Sequence, residues 1–245
     1  MSTSMRLDKF LFDEGLMSSR TEAQAAIVAG KVLVNGQVVT KASFKISPDD
    51  HVEAEKAHPF VSRAALKLQG ALEQFPVAVN GKVCLDVGAS TGGFSQVLIE
   101  AGAEHVYAID VGRDQFHKSL RDEPRISLFE QTDAREISEA LIPLLIDLIV
   151  CDASFIGLEK VLLPALHMTG PEAQAVLLFK PQFQVGPKHV GKGGIVNDEA
   201  AVDQAKANFQ DWLEHQGWLV KAWAPSPITG SDGNQEWLVW ACRAG

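Results

Sequence analysis

The segment CLDVGASTGGFSQVLIEAG, residues 84–102, most constrains what this chain can fold into. A short apolar run closes on Asp86, the chain turns through Gly88, Gly92 and Gly93, and a helical pattern starts at or just before Phe94. That is a strand, a tight turn and a helix in the space of about one βα unit. Glycine lets a backbone come close to a ligand and aim its amide N–H groups at it. The spacing is GxxxGG, not the GxGxxG of a dinucleotide cradle, and no Gly-Lys-Ser/Thr follows as in a phosphate-binding loop. The next predicted strand, YAID, ends in Asp110, where doubly wound sheets bind a ribose hydroxyl pair. Asp133, in EQTDARE after a third strand, is placed to accept from an adenine amino group. The pattern fits an adenosine carrying something other than a diphosphate. The plain alternative for Asp110 and Asp133 is a solvated acid at a strand end.

From Val83 onward strand-like and helix-like runs alternate: VCLDVG, GFSQVLIEAG, HVYAIDVG, ISLFEQ, DLIVCDAS, a helix near 159–168, AVLLFKPQF, a helix from about Asn197 to His215, WLVKAWAPSP and EWLVWACR. This rhythm predicts an α/β fold, a mostly parallel sheet with helices on both faces. Ahead of it, residues 1–58 read as a small α+β module. Leu7, Phe10 and Leu11 suggest a short helix stopping at Gly15, with Leu16 as an apolar contact past its end. SSRTEAQAAIVAG is a second helix with a serine cap, and the Asn-Gly of KVLVNGQVV marks a hairpin. DDHVEAE supplies a further strand. Between the two parts, VSRAALKLQGALEQF (61–75) predicts a helix with Val61, Ala65, Leu68, Leu72 and Phe75 on one stripe and Arg63 and Lys67 on another.

Charge is unevenly spread. Residues 1–67 hold nine Lys/Arg and eight Asp/Glu, whereas the whole chain carries 22 and 31, for a net charge of −9. A polyanionic partner must therefore be held by local basic patches, chiefly near the N-terminus. Arg6, Lys9, Arg20, Lys31, Lys41 and Arg63 are the candidate phosphate contacts there. Lys188 and Lys192 belong to QVGPKHVGKGGIVND (184–198), a Gly-rich basic loop that either closes over phosphates or is a disordered connector, with Asn197 capping the helix that follows. Cys84, Cys151 and Cys242 stand singly, which reads as reduced thiols of a cytoplasmic protein, and no metal-ligand spacing is present. The N-terminus MSTSMRLDKF has no leader-like apolar core, and no run reaches the roughly 18–20 apolar residues of a membrane span.

Lysine is rarely buried without a partner, yet AVLLFKPQF ends an apolar run on Lys180. LDVGASTGGFSQVL is similar to motif I of class I S-adenosylmethionine-dependent methyltransferases. With RLDKFLFDEGL, VSRAALKL, CDASFIGLEKVL, LLFKPQFQVG and GNQEWLVW, nearly the whole chain resembles the TlyA (hemolysin A) family. The resemblance implies an S4-like RNA-binding domain over residues 1–58 and an FtsJ-like, Rossmann-like methyltransferase domain with a seven-stranded sheet over 59–245. It implies S-adenosyl-L-methionine as cofactor, held by Asp86, Gly88, Ser90, Thr91, Gly92, Gly93, Phe94, Asp110 and Asp133. It also implies a Lys-Asp-Lys-Glu set at Lys67, Asp152, Lys180 and Glu236, methylating a cytidine 2′-hydroxyl of ribosomal RNA. No basic extension precedes Arg6, and shorter family members act on the large-subunit RNA. A methyl leaves a sulfonium by in-line displacement without a metal. Lys180 can stabilise the developing alkoxide or, deprotonated, act as base. Two other readings stand beside this one: a membrane-active cytolysin, following the family's older label, and an RNA-binding protein whose methyltransferase domain is inactive.

Overall fold

In the computed structural model, residues 4–17 and 19–244 are described. Met1–Thr3 and Ser18, part of the leader and capping readings, lie outside them. The chain divides into two compact units, residues 1–60 and 61–245.

The first unit runs β1 (Met5–Arg6), α1 (Leu7–Asp13), α2 (Arg20–Val28), β2 (Val32–Val34), β3 (Gln37–Val38), β4 (Lys45–Ile46) and β5 (Val52–Ala54). Asn35 and Gly36 both take positive φ, +52° and +77°, the backbone a two-residue I′ hairpin demands. β2 pairs antiparallel with β3 and β5, and β1 with β4. Ser19 caps α2, its Oγ accepting from the Glu22 N–H at 3.1 Å. Leu7, Leu11, Ala23, Ala26, Ile27, Val32, Val34 and Ile46 form the core. Leu16, expected as the contact past α1, is exposed instead. The chain turns one residue later, the Met17 N–H bonds to Leu11 O, and Met17 is the side chain buried.

The second unit holds α3 (Ala65–Gln74), β6 (Val83–Val87), α4 (Gly93–Glu100), β7 (His105–Ile109), α5 (Lys118–Arg121), β8 (Ile126–Phe129), β9 (Ile146–Cys151), α6 (Leu158–His167), β10 (Thr169–Phe179), α7 (Glu199–His215), β11 (Trp218–Pro225) and β12 (Trp237–Arg243). One seven-stranded sheet has the order β11-β12-β10-β9-β6-β7-β8. It is parallel from β10 through β8, while β12 runs antiparallel to both neighbours. Alternate residues of the central strands pack with Leu162, Leu166, Phe209 and Leu213 of α6 and α7. The intervening ones, among them Cys84, Val106, Leu148, Val150, Val176 and Leu178, are equally buried. Burial on both faces explains the continuous apolar runs of these strands.

Two helix boundaries differ from the sequence reading. The helix expected over 61–75 begins at Ala65, because the Val61 N–H is drawn to Gln96 Oε1 at 2.8 Å and the chain is still turning. Arg63 therefore precedes the helix. The cap of α7 is Asp198, not Asn197: its carboxylate accepts from the Ala201 N–H at 3.0 Å. The basic 184–198 loop is folded, with short 3₁₀ turns at Pro187–His189 and Lys192–Gly194. Buried Asn234 pins it, accepting from Val196 N–H at 2.9 Å and donating to Gly194 O at 2.8 Å.

Candidate active site

β6 pairs with β7 on one side and β9 on the other, so the strand order reverses at β6 and a crevice opens at the strands' carboxyl ends. Asp152 follows β9 directly and Lys180 follows β10 directly. Phe179 pairs with Trp237 in the antiparallel β10–β12 ladder, so Glu236, one step before β12, lies opposite Lys180. α3 contributes Lys67 from a buried position.

These four side chains meet. Lys180 Nζ is 2.6 Å from Asp152 Oδ1, Lys67 Nζ is 3.6 Å from Asp152 Oδ2, and Lys67 Nζ is 2.6 Å from Glu236 Oε2. Lys67, Lys180 and Glu236 are 6, 6 and 2% exposed, so none is a solvated surface charge. Two cations and two anions alternate, so each buried charge faces its opposite. Losing one partner from such a set leaves an uncompensated charge, at a cost of about 3–5 kcal/mol. Lys180 Nζ also donates to the Asp152 backbone carbonyl at 3.0 Å and to Ser154 Oγ at 2.6 Å.

A cavity of about 450 Å³ adjoins this cluster, lined by Gly88, Ser90, Asp110, Asp133, Asp152 and Phe155 among others. Gly88 has φ +83°, and a Cβ there would stand 3.0 Å from the backbone of Ala153. The strand-to-helix turn can thus pass beside β9 only as glycine. Gly92, at φ +88°, precedes α4 without a side-chain cap, which leaves amide N–H groups at the helix start for a ligand. A second cavity at this end is lined by Thr91, Gly93 and Phe94 together with Ser62 and Arg63. The Ser62 hydroxyl is buried with no hydrogen-bond partner among the described residues.

Asp110 accepts from the Ser90 N–H at 2.8 Å and the Gly112 N–H at 2.6 Å, which fixes its carboxylate on the cavity wall. Glu130 closes the neighbouring loop by accepting from the Gln115 and Phe116 amides and from Arg121. Asp133 lines the cavity too, but its carboxylate is engaged by the Arg135 amide and guanidinium, which hold it below the usual carboxylate range. Asp86 lies beneath the turn rather than on the cavity wall. It is 1% exposed, with the Ser95 hydroxyl donating to Oδ2 at 2.6 Å, and burial pushes its carboxyl up to about 7.

Of the basic residues expected to meet RNA, Lys41, Lys188 and Lys192 are exposed, and no ion pair engages them among the described residues. Arg63 is exposed and borders the crevice, donating to Thr229 O at 3.4 Å. Lys9 is paired with Asp13, and Lys31 with Glu55 at 3.3 Å. Arg6 and Arg20 share one fully buried carboxylate. Arg6 bonds Asp8 through Nε at 2.9 Å and Nη2 at 3.0 Å, Arg20 through Nη2 at 2.8 Å, and Gln24 adds a fourth bond. These contacts, Arg6 foremost, hold the Asp8 carboxyl far below the usual carboxylate range.

Asp8, Ser154, Phe155 and Asn234 escaped the sequence reading. Phe155 is 91% exposed, takes φ +67°, and sets its ring 5.4 Å from that of Phe183 at the mouth of the site. A bulky side chain in the left-handed region is a strained arrangement of the kind found at functional sites. Its only sequence signal is its place three residues after Asp152 in CDASF.

Comparison with known proteins places this geometry in context. The FtsJ-like methyltransferase family matches residues 60–243 and the S4 domain family residues 5–52. The chain is 40% identical to the 16S/23S rRNA (cytidine-2′-O)-methyltransferase TlyA of Mycobacterium tuberculosis over 98% of its length and 90% of that protein's. It is 37% identical to the 23S rRNA (cytidine-2′-O)-methyltransferase TlyA of Campylobacter jejuni, over 96% of this chain and 98% of the relative. A solved structure from Streptococcus thermophilus described as a hemolysin is 31% identical, with a TM-score of 0.77, covering 100% of this chain and 90% of its own.

Proposed function

Because the chain belongs to the TlyA family, an S4 domain joined to an FtsJ-like methyltransferase, we propose that it methylates a cytidine 2′-hydroxyl of ribosomal RNA in the cytoplasm with S-adenosyl-L-methionine as donor. The C. jejuni relative is named for 23S RNA and the M. tuberculosis relative for both 16S and 23S RNA, so the large-subunit molecule is the substrate the two names share. The single observation that carries the reading is the buried Lys67–Asp152–Lys180–Glu236 cluster beside the cavity at the glycine turn.

The residues present suit that donor. The backbone approach at Gly88, the fixed Asp110 carboxylate and the uncapped start of α4 match a nucleoside with a short zwitterionic tail. When bound, S-adenosylmethionine supplies a sulfonium-borne methyl that an oxygen nucleophile takes by in-line displacement, leaving a neutral thioether. Asp110 would hold the ribose hydroxyls, Asp133 and its turn would border the adenine, and Ser90, Thr91, Gly92, Gly93 and Phe94 would line the remainder, with Asp86 bracing the turn from below.

Lys180 orients the acceptor hydroxyl and stabilises negative charge as its proton departs to water. Nζ donates to two acceptors and stands in an ion pair with the Asp152 carboxylate, surroundings that suit an ammonium, so the charge-stabilising role is favoured over that of base. Lys67 and Glu236 complete the alternating set that holds Asp152 and Lys180 in place. The exposed Phe155 ring beside Phe183 offers a platform on which an unstacked base can lie. Arg6, Lys9, Arg20, Lys31, Lys41, Arg63, Lys188 and Lys192 serve as phosphate contacts.

Transfer of a tritiated methyl from the donor to ribosomal RNA tests the proposal, with the modified ribose mapped by mass spectrometry. Lys180→Ala is expected to lower the rate at least 10²-fold, the scale of removing one charge-stabilising donor. Absence of transfer by the wild type, or undiminished transfer by the variant, refutes it. Against the cytolysin reading, the apolar stripe of the 61–75 segment is taken up by core packing: Ala65, Leu68 and Phe75 are buried within the unit. No helix among the described residues is long and apolar enough to cross a membrane.

A further inference from the structure

We propose that Ser154 is a positioning residue for methyl transfer: it holds one N–H of Lys180 in place until the acceptor hydroxyl takes that bond over. The inference deepens the methyl-transfer reading and rests on it.

Three oxygens crowd Lys180 Nζ: it donates to the Asp152 carbonyl at 3.0 Å and to Ser154 Oγ at 2.6 Å, and Asp152 Oδ1 stands 2.6 Å away as an ion pair. A sugar hydroxyl reaches Nζ through this shell of oxygens when one of them gives up its place. The Asp152 carboxylate cannot do so cheaply, because it is the buried counter-charge of Lys180 and also faces Lys67. The Asp152 carbonyl is backbone, fixed where its own N–H bonds to Val87 O of β6. Ser154 is neutral, lies on an exposed residue, and can rotate its hydroxyl about one single bond. It is the weakest of the three anchors and the one free to move.

Its place in the molecule agrees. Ser154 borders the large cavity with Asp110, the cavity at the start of α4, and the space lined by Arg63, Lys67, Lys180 and Glu236. Those three spaces are where a nucleoside, its charged tail and an incoming ribose would lie, so the Ser154 hydroxyl stands at their junction. Until a ribose arrives, the Ser154 contact keeps Nζ pointed at that junction.

Two measurements decide the matter. In steady-state assays of methyl transfer to ribosomal RNA, Ser154→Ala is expected to lower kcat about tenfold, the value of one hydrogen bond of about 1.4 kcal/mol. KM for RNA and calorimetric affinity for S-adenosylmethionine should stay within about twofold, and Ser154→Thr, which keeps the hydroxyl, should recover most of the rate. Unchanged kcat in the alanine variant, a loss falling on KM or cofactor affinity, or a threonine variant as slow as alanine overturns the proposal. The second readout needs no turnover: the ¹⁵N side-chain resonance of Lys180, assigned by its disappearance in Lys180→Arg. It should be sharp in the wild type, broadened in Ser154→Ala and restored in Ser154→Thr; a signal indifferent to Ser154 also overturns the proposal. A wild type that methylates nothing ends the methyl-transfer reading itself, and that result differs from every outcome of the resonance experiment.

Discussion

Asp86 shows how a single carboxyl ties the site to stability. Burial, reinforced by the nearby Asp152 charge and opposed by the Ser95 hydrogen bond, raises its folded value to about 7, against about 3.9 in an unfolded chain. The folded state therefore binds the extra proton between these values. Its contribution is complete below about pH 4 and is lost as pH rises through about 7, by at most about 1.4 kcal/mol per pH unit. Asp86→Asn keeps an acceptor for Ser95 and removes the titration, so urea denaturation across this range should show a flatter pH dependence for the variant. An unchanged slope would mean that Asp86 stays ionised. At this scale the sequence was legible wherever position alone implies a role. Asp110, Asp152 and Lys180 end strands, and strand ends meet at a crevice whatever surrounds them. Lys67 was harder, because the helical pattern suggested a polar face and only the fold reveals that the face is covered. Asp8, Ser154 and Asn234 were not legible, since each acts through a partner from another part of the chain or across a turn. Their residue types are ordinary in loops and helix starts.

Between elements, the β6–α4 connection is the least forgiving. Gly88→Ala places a Cβ at positive φ and 3.0 Å from backbone atoms of Ala153, which are held between Asp152 and Ser154. Conformational strain and overpacking together should cost about 2–4 kcal/mol. Thermal denaturation should register that loss, and calorimetry should show cofactor binding at least tenfold weaker because Ala153 lies on the cavity wall. Glycine spacing made this turn readable, and Asn-Gly made the hairpin readable, because both rest on local backbone chemistry. The start of α3 and the cap of α7 were misread where a distant or neighbouring acceptor decided the outcome: Gln96 captures the Val61 amide, and Asp198 outcompetes Asn197. The basic loop is ordered by Asn234, 38 residues beyond Val196, a distance over which no local pattern carries information.

For the whole molecule the puzzle is a chain of net charge −9 with a polyanion as its proposed partner. Attraction must come from a few lysines and arginines, and Arg6 and Arg20 already share the charge of Asp8. The exposed pair Lys188 and Lys192 should then contribute measurably. Changing both to alanine should reduce the slope of log affinity against log salt by about 1.4 to 1.8, the release of two counterions. A slope that does not change would exclude the loop from the RNA interface. Architecture was the most legible level, because alternating strands and helices admit few arrangements. Within that architecture β12 is reversed against β10, which brings Glu236 to the end of the sheet where Lys180 stands. That reversal carries a consequence for biosynthesis. β12 slots between β11 and β10, both of which leave the ribosome before it, so the sheet closes only when a late-made strand threads into a gap left open by its predecessors. A nascent chain halted ahead of Trp237 would have a bare β10 flank, and the acid that neutralises Lys67 would have no strand to anchor it. Premature termination would thus yield an inert, aggregation-prone fragment rather than a partly competent enzyme.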